Sequence, residues 1–153
     1  MTKPVIYYYF KDKDALCFEI VKNFEAEREK KLLALAHKTP DFAAFLERLF
    51  ASYMDNGENK KMVAFMMHLH GYISYNKELE RNISALHEGG KDQLEDMLKR
   101  YAVKPAVRDT AKHLIVANLM HMVMHQSHGK IKFKKDYPAR ITMAILRAIE
   151  VNK

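Results

Sequence analysis

Three histidines lie near the end of one predicted helix, at positions 121, 125 and 128. Side chains three and four residues apart share one face of a helix, so His121 and His125 can bind the same metal ion and His128 can join them. Zinc and nickel are the metals that nitrogen-rich sites favour. Two other interpretations stay open: the imidazoles line a ligand pocket as hydrogen-bonding groups, or they pack in the core or a subunit interface.

No other set of residues predicts chemistry. The sequence contains no Gly-rich phosphate loop, no Cys-x-x-Cys pair, no His-Glu-x-x-His motif and no nucleophile elbow. Most acidic residues lie beside Lys or Arg, which is typical of surface ion pairs. We therefore expect no enzymatic activity and no resident cofactor. A metal- or haem-binding helical protein built around the three histidines stays as an alternative function.

The composition indicates an all-α protein. The 153 residues are 48% hydrophobic and 29% charged, with only 5 Gly and 4 Pro. A formal net charge of +7 favours contact with nucleic acid, although its spread along the chain also suits a solvated surface. A single cysteine, Cys17, is compatible with a reducing cytoplasm and with a buried position. No apolar stretch reaches the roughly 18 residues that span a bilayer, so we expect no membrane association.

Capping residues and apolar periodicity predict seven helices. In chain order they are Thr2–Phe10, Asp12–His37, Pro40 to the Asn56–Gly57 stop, Asn59–Tyr75, Lys77–Tyr101, Lys104–Pro105 to His128–Gly129, and Pro138 to the end. Thr39 is the predicted cap of the third helix, and Gly89–Gly90 is expected to kink or split the fifth. The sixth is apolar nearly all round from Ile115 to Met124, which predicts burial on more than one side.

The second predicted helix is apolar at both ends and charged in its middle, where Glu25 to Lys31 are mostly acidic or basic. This pattern suits a strut between two packed bodies, and it also suits a helix with a solvated face. At 1.5 Å per residue the helix spans roughly 39 Å. The ten methionines concentrate near positions 62–67 and 120–124, where they either fill a core or line an adaptable pocket.

The most specific motif occupies residues 1–17. Thr2 begins a short helix, Tyr7 and Phe10 form a Tyr-x-x-Phe pair, and Lys13 and Leu16 follow at the same spacing. This pattern resembles the recognition helix and following turn of the TetR family of bacterial transcriptional regulators. The remaining helices resemble that family by layout: a long connecting helix, middle helices and two apolar terminal helices.

The resemblance implies a ligand-responsive repressor that binds operator DNA as a homodimer in the cytoplasm. Residues 1–17 would be a remnant of the helix-turn-helix domain, and residues 18–153 the effector-binding and dimerisation domain. The implied DNA contacts are Thr2, Lys3 and Pro4 at base edges, and Tyr7, Tyr8 and Lys13 at the backbone. Because the family has two helices before its recognition helix, we expect specific operator binding in a longer parent protein and its impairment in this chain.

In that family the last two helices pair across a two-fold axis, and the middle helices enclose a small molecule. The dimer interface predicted from the apolar stripes consists of Leu114, Leu119, Met122, Ile141, Ile145 and Ile149. The pocket predicted for a small hydrophobic effector is lined by Tyr53, Phe65, Met66, Leu69, His70, Tyr72, His121 and Met124. Effector binding is expected to tilt the long helix and so change the separation of the two recognition helices, whose half-sites lie about 34 Å apart.

Overall fold

The computed structural model describes residues 9–54, 65, 68–69, 71–127 and 133–150, with the backbone alone at 87, 89–92 and 126–127. The chain is all-α, as predicted, and the described residues include no strand. The helices with both ends described are α1 (Lys13–His37), α2 (Phe42–Met54), α3 (Lys77–Arg100), α4 (Pro105–Ser127) and α5 (Tyr137–Glu150). Residues 65, 68–69 and 71–73 are also helical. None of the described helices is long and apolar enough to cross a membrane.

Helix α1 begins and ends where the sequence predicts. The Asp12 carboxylate accepts a hydrogen bond from the Ala15 amide at 2.8 Å, which caps the first turn. At the other end, the Lys38 amide donates to the Leu35 carbonyl at 3.0 Å. The helix is about 37 Å long, so a single element connects distant parts of the molecule.

The predicted start of the next helix is wrong by two residues. Helix α2 begins at Phe42, and the Asp41 carboxylate caps it by accepting from the Ala44 amide at 2.8 Å. Thr39 is buried instead, and its hydroxyl donates to the Leu35 carbonyl of α1 at 2.9 Å. An aspartate one residue after Pro40 offers the same capping chemistry, and Thr39 is used to close the preceding helix.

Helix α3 is continuous through Gly89–Gly90, so these glycines do not split it. The Asn76 side chain caps its start by accepting from the Glu78 and Leu79 amides at 3.2 and 3.1 Å. At its end, Ala102 adopts a left-handed conformation with φ of 53°. The Ala102 amide donates to the Lys99 carbonyl and the Val103 amide donates to the Leu98 carbonyl, both at 2.9 Å, which is a Schellman motif.

Two separate groups of buried apolar side chains hold the helices together. The large cluster joins α2, α4 and α5 to the ends of α1 and α3, through Ala36, Phe45, Leu46, Leu49, Phe50, Leu94, Met97, Leu98, Val103, Val107, Ala111, Ile115, Met122, Ile145 and Ile149. The small cluster joins the first halves of α1 and α3 to the helical residues before α3, through Cys17, Val21, Leu69, Ile73, Leu79 and Ile83. Helix α1 therefore connects two packed bodies, as the sequence predicts for a strut.

Helices α1 and α3 lie side by side and run parallel, because their corresponding ends are bonded to each other. Near their starts, the Asp14 carboxylate accepts from the Tyr72 hydroxyl at 2.6 Å and also from the Asn76 side-chain amide. Near their ends, the hydroxyls of Thr39 and Tyr101 are hydrogen-bonded at 2.6 Å. Polar contacts thus fix the relative register of the two longest described helices.

Candidate functional site

The face of α4 that carries the histidines changes from buried to exposed along its length. Val107 and Ala111 are buried, Asn118 is half-buried, and His121 is exposed. The rings of His121 and His125 lie edge to face with their centroids 4.3 Å apart. The predicted spacing therefore does bring two imidazoles together, at the surface and not in the core.

Contacts between aromatic rings continue from these histidines to α5. The Phe133 ring lies 5.9 Å from the His121 ring and 4.6 Å from the Tyr137 ring, measured between centroids. His128 lies outside the described residues. Within the described part of the chain, no group of three His, Cys, Asp or Glu side chains could hold a metal ion. Among the described residues, the metal-binding alternative therefore rests on the imidazoles of His121 and His125.

Large apolar side chains are exposed on both of the last two helices. On α4, Val116, Met120 and Met124 are 46%, 54% and 45% exposed, and on α5 Met143 is 51% exposed. One side of α4 is therefore exposed, although the helix packs against α2, α3 and α5 on its other sides. The three α4 residues follow at four-residue spacing, so they form one stripe along the helix. We call these four residues the exposed apolar face.

The residues predicted for the dimer interface lie elsewhere. Met122, Ile145 and Ile149 are buried in the large cluster, and Leu114, Leu119 and Ile141 pack against it. The stripe predicted on α5 faces α2 and α4 of the same chain, because an amphipathic helix buries its apolar side against the nearest core. The three buried side chains cannot contact a second chain while this core is intact.

Basic side chains accompany the exposed apolar face on α5. An open groove of about 380 Å³ is lined by Ala139, Arg140, Met143, Ala144 and Arg147. The two arginines are seven residues apart, which places them on the same side of the helix on either side of Met143. This part of α5 therefore offers a methionine between two cations, with alanines beside it that leave room for an approaching group.

The residues predicted for the effector pocket are not brought together. Leu69 is buried in the small cluster, where Phe65 and Tyr72 pack against it, whereas Tyr53 packs against the large cluster. His121 and Met124 are exposed on α4. Met66 and His70 lie outside the described residues. The prediction places these side chains in one pocket, whereas the structure distributes the described ones over two clusters and the surface.

A buried polar set that the sequence analysis missed lies along α1, between the two clusters. Glu25 is only 6% exposed and forms an ion pair with Arg28. Burial raises the pKa of the Tyr53 hydroxyl, the Arg28 charge opposes that rise and the Glu25 charge adds to it. Glu25 follows Cys17 and Val21 at four-residue spacing, so it lies on the same buried face of α1, and this spacing could have predicted its burial.

Most residues predicted to contact DNA cannot be placed. Thr2, Lys3, Pro4, Tyr7 and Tyr8 lie outside the described residues, and Lys13 is the first residue of α1. The Lys13 ammonium lies 3.9 Å from the centroid of the Tyr72 ring, in a cation–π contact.

The Tyr72 hydroxyl donates to Asp14, and this bond is the main cause that raises the pKa of Tyr72 to about 12. The start of α1 is therefore ordered by contacts with the residues that precede α3.

No protein-family model, no curated protein and no solved structure matches this chain.

Proposed function

We propose that this chain is mainly the effector-binding and dimerisation core of a TetR-like, ligand-responsive transcriptional repressor. In this proposal residues 1–17 belong to its DNA-binding unit, and residues 18–153 form the effector-binding and dimerisation domain. The protein acts as a homodimer through its last two helices, responds to a small hydrophobic effector and controls binding to operator DNA. The observation that carries the proposal is the exposed apolar face on α4 and α5.

The exposed apolar face supports a dimer because four large apolar side chains remain about half exposed on the same two helices. Single apolar side chains at a surface are ordinary, but a regular stripe of them marks an interaction site. An apolar stripe on α4, with one exposed methionine on the adjacent α5, suits a four-helix bundle with the same two helices of a second copy. Such an interface is isologous, so every residue of the stripe contributes twice.

The connection between the two clusters supports the proposed mechanism. Helix α1 is shared by both clusters and begins directly after the segment that resembles a recognition helix. An effector that binds between the middle helices with different affinity for two positions of α1 would shift the population between them. The recognition segments of the two subunits would then move apart or together, and operator affinity would change.

Sedimentation of the purified chain tests the proposal. We expect a dimer at micromolar concentration and a monomer for Met120→Asp. Burying the exposed half of each Met120 contributes about 1 kcal/mol, twice per dimer, and each buried Asp costs at least about 1 kcal/mol more. The sum of about 4 kcal/mol corresponds to a roughly 1000-fold increase in the dissociation constant.

The matched control is Leu33→Asp, which places the same charge at a 39% exposed leucine on α1. This variant should stay dimeric, and both variants should keep the helical circular dichroism of the wild type. Ile145→Asp is unsuitable because Ile145 is buried in the large cluster. A monomeric wild type, or a Met120→Asp variant that dimerises normally, would contradict the proposal.

The paired imidazoles of His121 and His125 favour one second candidate, a metal- or haem-binding protein. Elemental analysis of protein purified without chelator separates the two candidates. Stoichiometric zinc or nickel that is lost in His125→Ala would support the second. Absence of metal or haem, with no change in thermal stability on adding a chelator, would remove it.

A further inference from the structure

Helix α3 is divided between the two clusters. Its first half contributes Leu79 and Ile83 to the small cluster, and its second half contributes Leu94, Met97 and Leu98 to the large cluster. Between Ile83 and Leu94, none of the described side chains is fully buried, although Leu86 packs against the small cluster. The second half is also bonded to α4, because the Glu95 carboxylate contacts Arg108 at 3.3 Å and Lys112 at 2.9 Å.

Helix α1 is divided in the same way. Val21 belongs to the small cluster and Ala36 to the large one, and Glu25 is the buried side chain described between them. Glu25 carries a charge and pairs with Arg28 of its own helix. The middle of α1 therefore contributes an ion pair, and not apolar packing, to the region between the clusters.

Both ends of this helix pair are fixed. Asp14 of α1 is bonded to Tyr72 and to Asn76, the cap of α3, and Thr39 after α1 is bonded to Tyr101 after α3. Each end is therefore joined to its own cluster. Any relative motion of the two bodies would have to be absorbed in the middle of both helices.

The middle of α3 contains Gly89–Gly90, which are helical in the structure. Glycine is the residue that most weakens a helix interior apart from proline, at about a fivefold cost in helix stability relative to alanine for each residue. The two adjacent glycines lie between Leu86 of the small cluster and Leu94 of the large one, and the described side chains between these leucines, Glu88 and Gln93, belong to neither cluster. Their position coincides with the boundary between the clusters.

We propose that Gly89–Gly90 is a hinge at which α3 opens locally and lets the small-cluster body swing relative to the large-cluster body. The start of α1 and the start of α3 swing together, because Asp14 joins them. Under the proposed function, this motion carries the recognition segment ahead of α1, so the hinge is the element whose two positions an effector selects.

Hydrogen exchange of the full chain, read by mass spectrometry of peptides along α3, tests the hinge without DNA or effector. In the wild type, the amides of residues 89–94 should exchange faster than those of residues 79–83 and 95–100. Gly89→Ala with Gly90→Ala should slow the exchange of residues 89–94 by about 30-fold, and either single substitution by about fivefold.

Ser84→Ala is the matched control, since it improves an exposed position of the same helix outside the proposed hinge. It should change the exchange of residues 89–94 less than twofold. Equal protection along α3 in the wild type, or equal slowing in all helices of the double variant, would overturn the hinge. If neither single variant folds, the glycines serve close packing and the hinge is also refuted. A refuted hinge leaves the proposed dimer and its sedimentation test unaffected.

Discussion

The hydroxyl of Tyr101 tests how the ends of α1 and α3 are joined. It lies 2.6 Å from the Thr39 hydroxyl and 3.2 Å from the Ala36 carbonyl. Its ring packs on Phe45 with centroids 5.2 Å apart, and phenylalanine would keep that packing. Tyr101→Phe therefore removes the hydroxyl that bonds to both Thr39 and Ala36, and leaves the packing of the ring unchanged. A partly buried bond of this kind contributes about 1–1.5 kcal/mol to the free energy of unfolding.

Urea denaturation measures this loss directly. The urea concentration at the midpoint should fall, while the slope of the free energy of unfolding against urea concentration stays unchanged, because the surface exposed on unfolding is the same. For a chain of this size the melting temperature should fall by about 2–6 °C. Tyr75→Phe is the matched control, since Tyr75 is 93% exposed, and it should change neither quantity. If Tyr101→Phe is as harmless as the control, the hydroxyl does not join the two helices and this part of the account is wrong.

Two further predictions concern backbone strain and pH. Ala102 has a φ of 53°, so Ala102→Gly should relieve the strain of a left-handed conformation. The greater conformational entropy of glycine in the unfolded chain offsets part of this gain. We expect the free energy of unfolding, measured by urea denaturation, to rise by about 0.5–1 kcal/mol. Loss of stability in that variant would contradict the assignment of strain. Tyr72, whose ordinary pKa is 10.0, has it raised to about 12 in the folded chain, so the folded state holds this proton more tightly. The stabilisation is complete below pH 10 and is lost as the pH rises towards 12. Denaturation at several pH values in this range should show that the free energy of unfolding declines more steeply for the wild type than for Tyr72→Phe. Parallel declines in the two proteins would refute the stabilising role of the Tyr72 proton.

Local signals in the sequence predict the ends of helices well where a single cap is available. Asp12 starts α1, and Pro105 is the first residue of α4, both as predicted. The start of α2 is misplaced because Thr39 and Asp41 are both good caps two residues apart. The choice depends on Tyr101, which is distant in sequence and engages Thr39. Tertiary contacts therefore decide between equivalent local signals.

The site residues could not all be predicted, because the sequence does not show which face of each helix packs against which neighbouring helix. The apolar residues of α4 continue around the helix, and periodicity alone does not show that Met120 stays at the surface while Met122 enters the core. Glu25 shows the opposite error, because a charged run suggests solvent although its register with Val21 places it inside. The histidine pair was predictable because its members lie on one helix and need no neighbour.

Analytical ultracentrifugation of the wild-type chain at micromolar concentration, beside Met120→Asp and Leu33→Asp, decides whether the exposed apolar face forms a dimer. We expect a dimer for the wild type and for Leu33→Asp, and a folded monomer for Met120→Asp. A wild-type chain that sediments as a monomer would contradict the proposed role of the exposed apolar face.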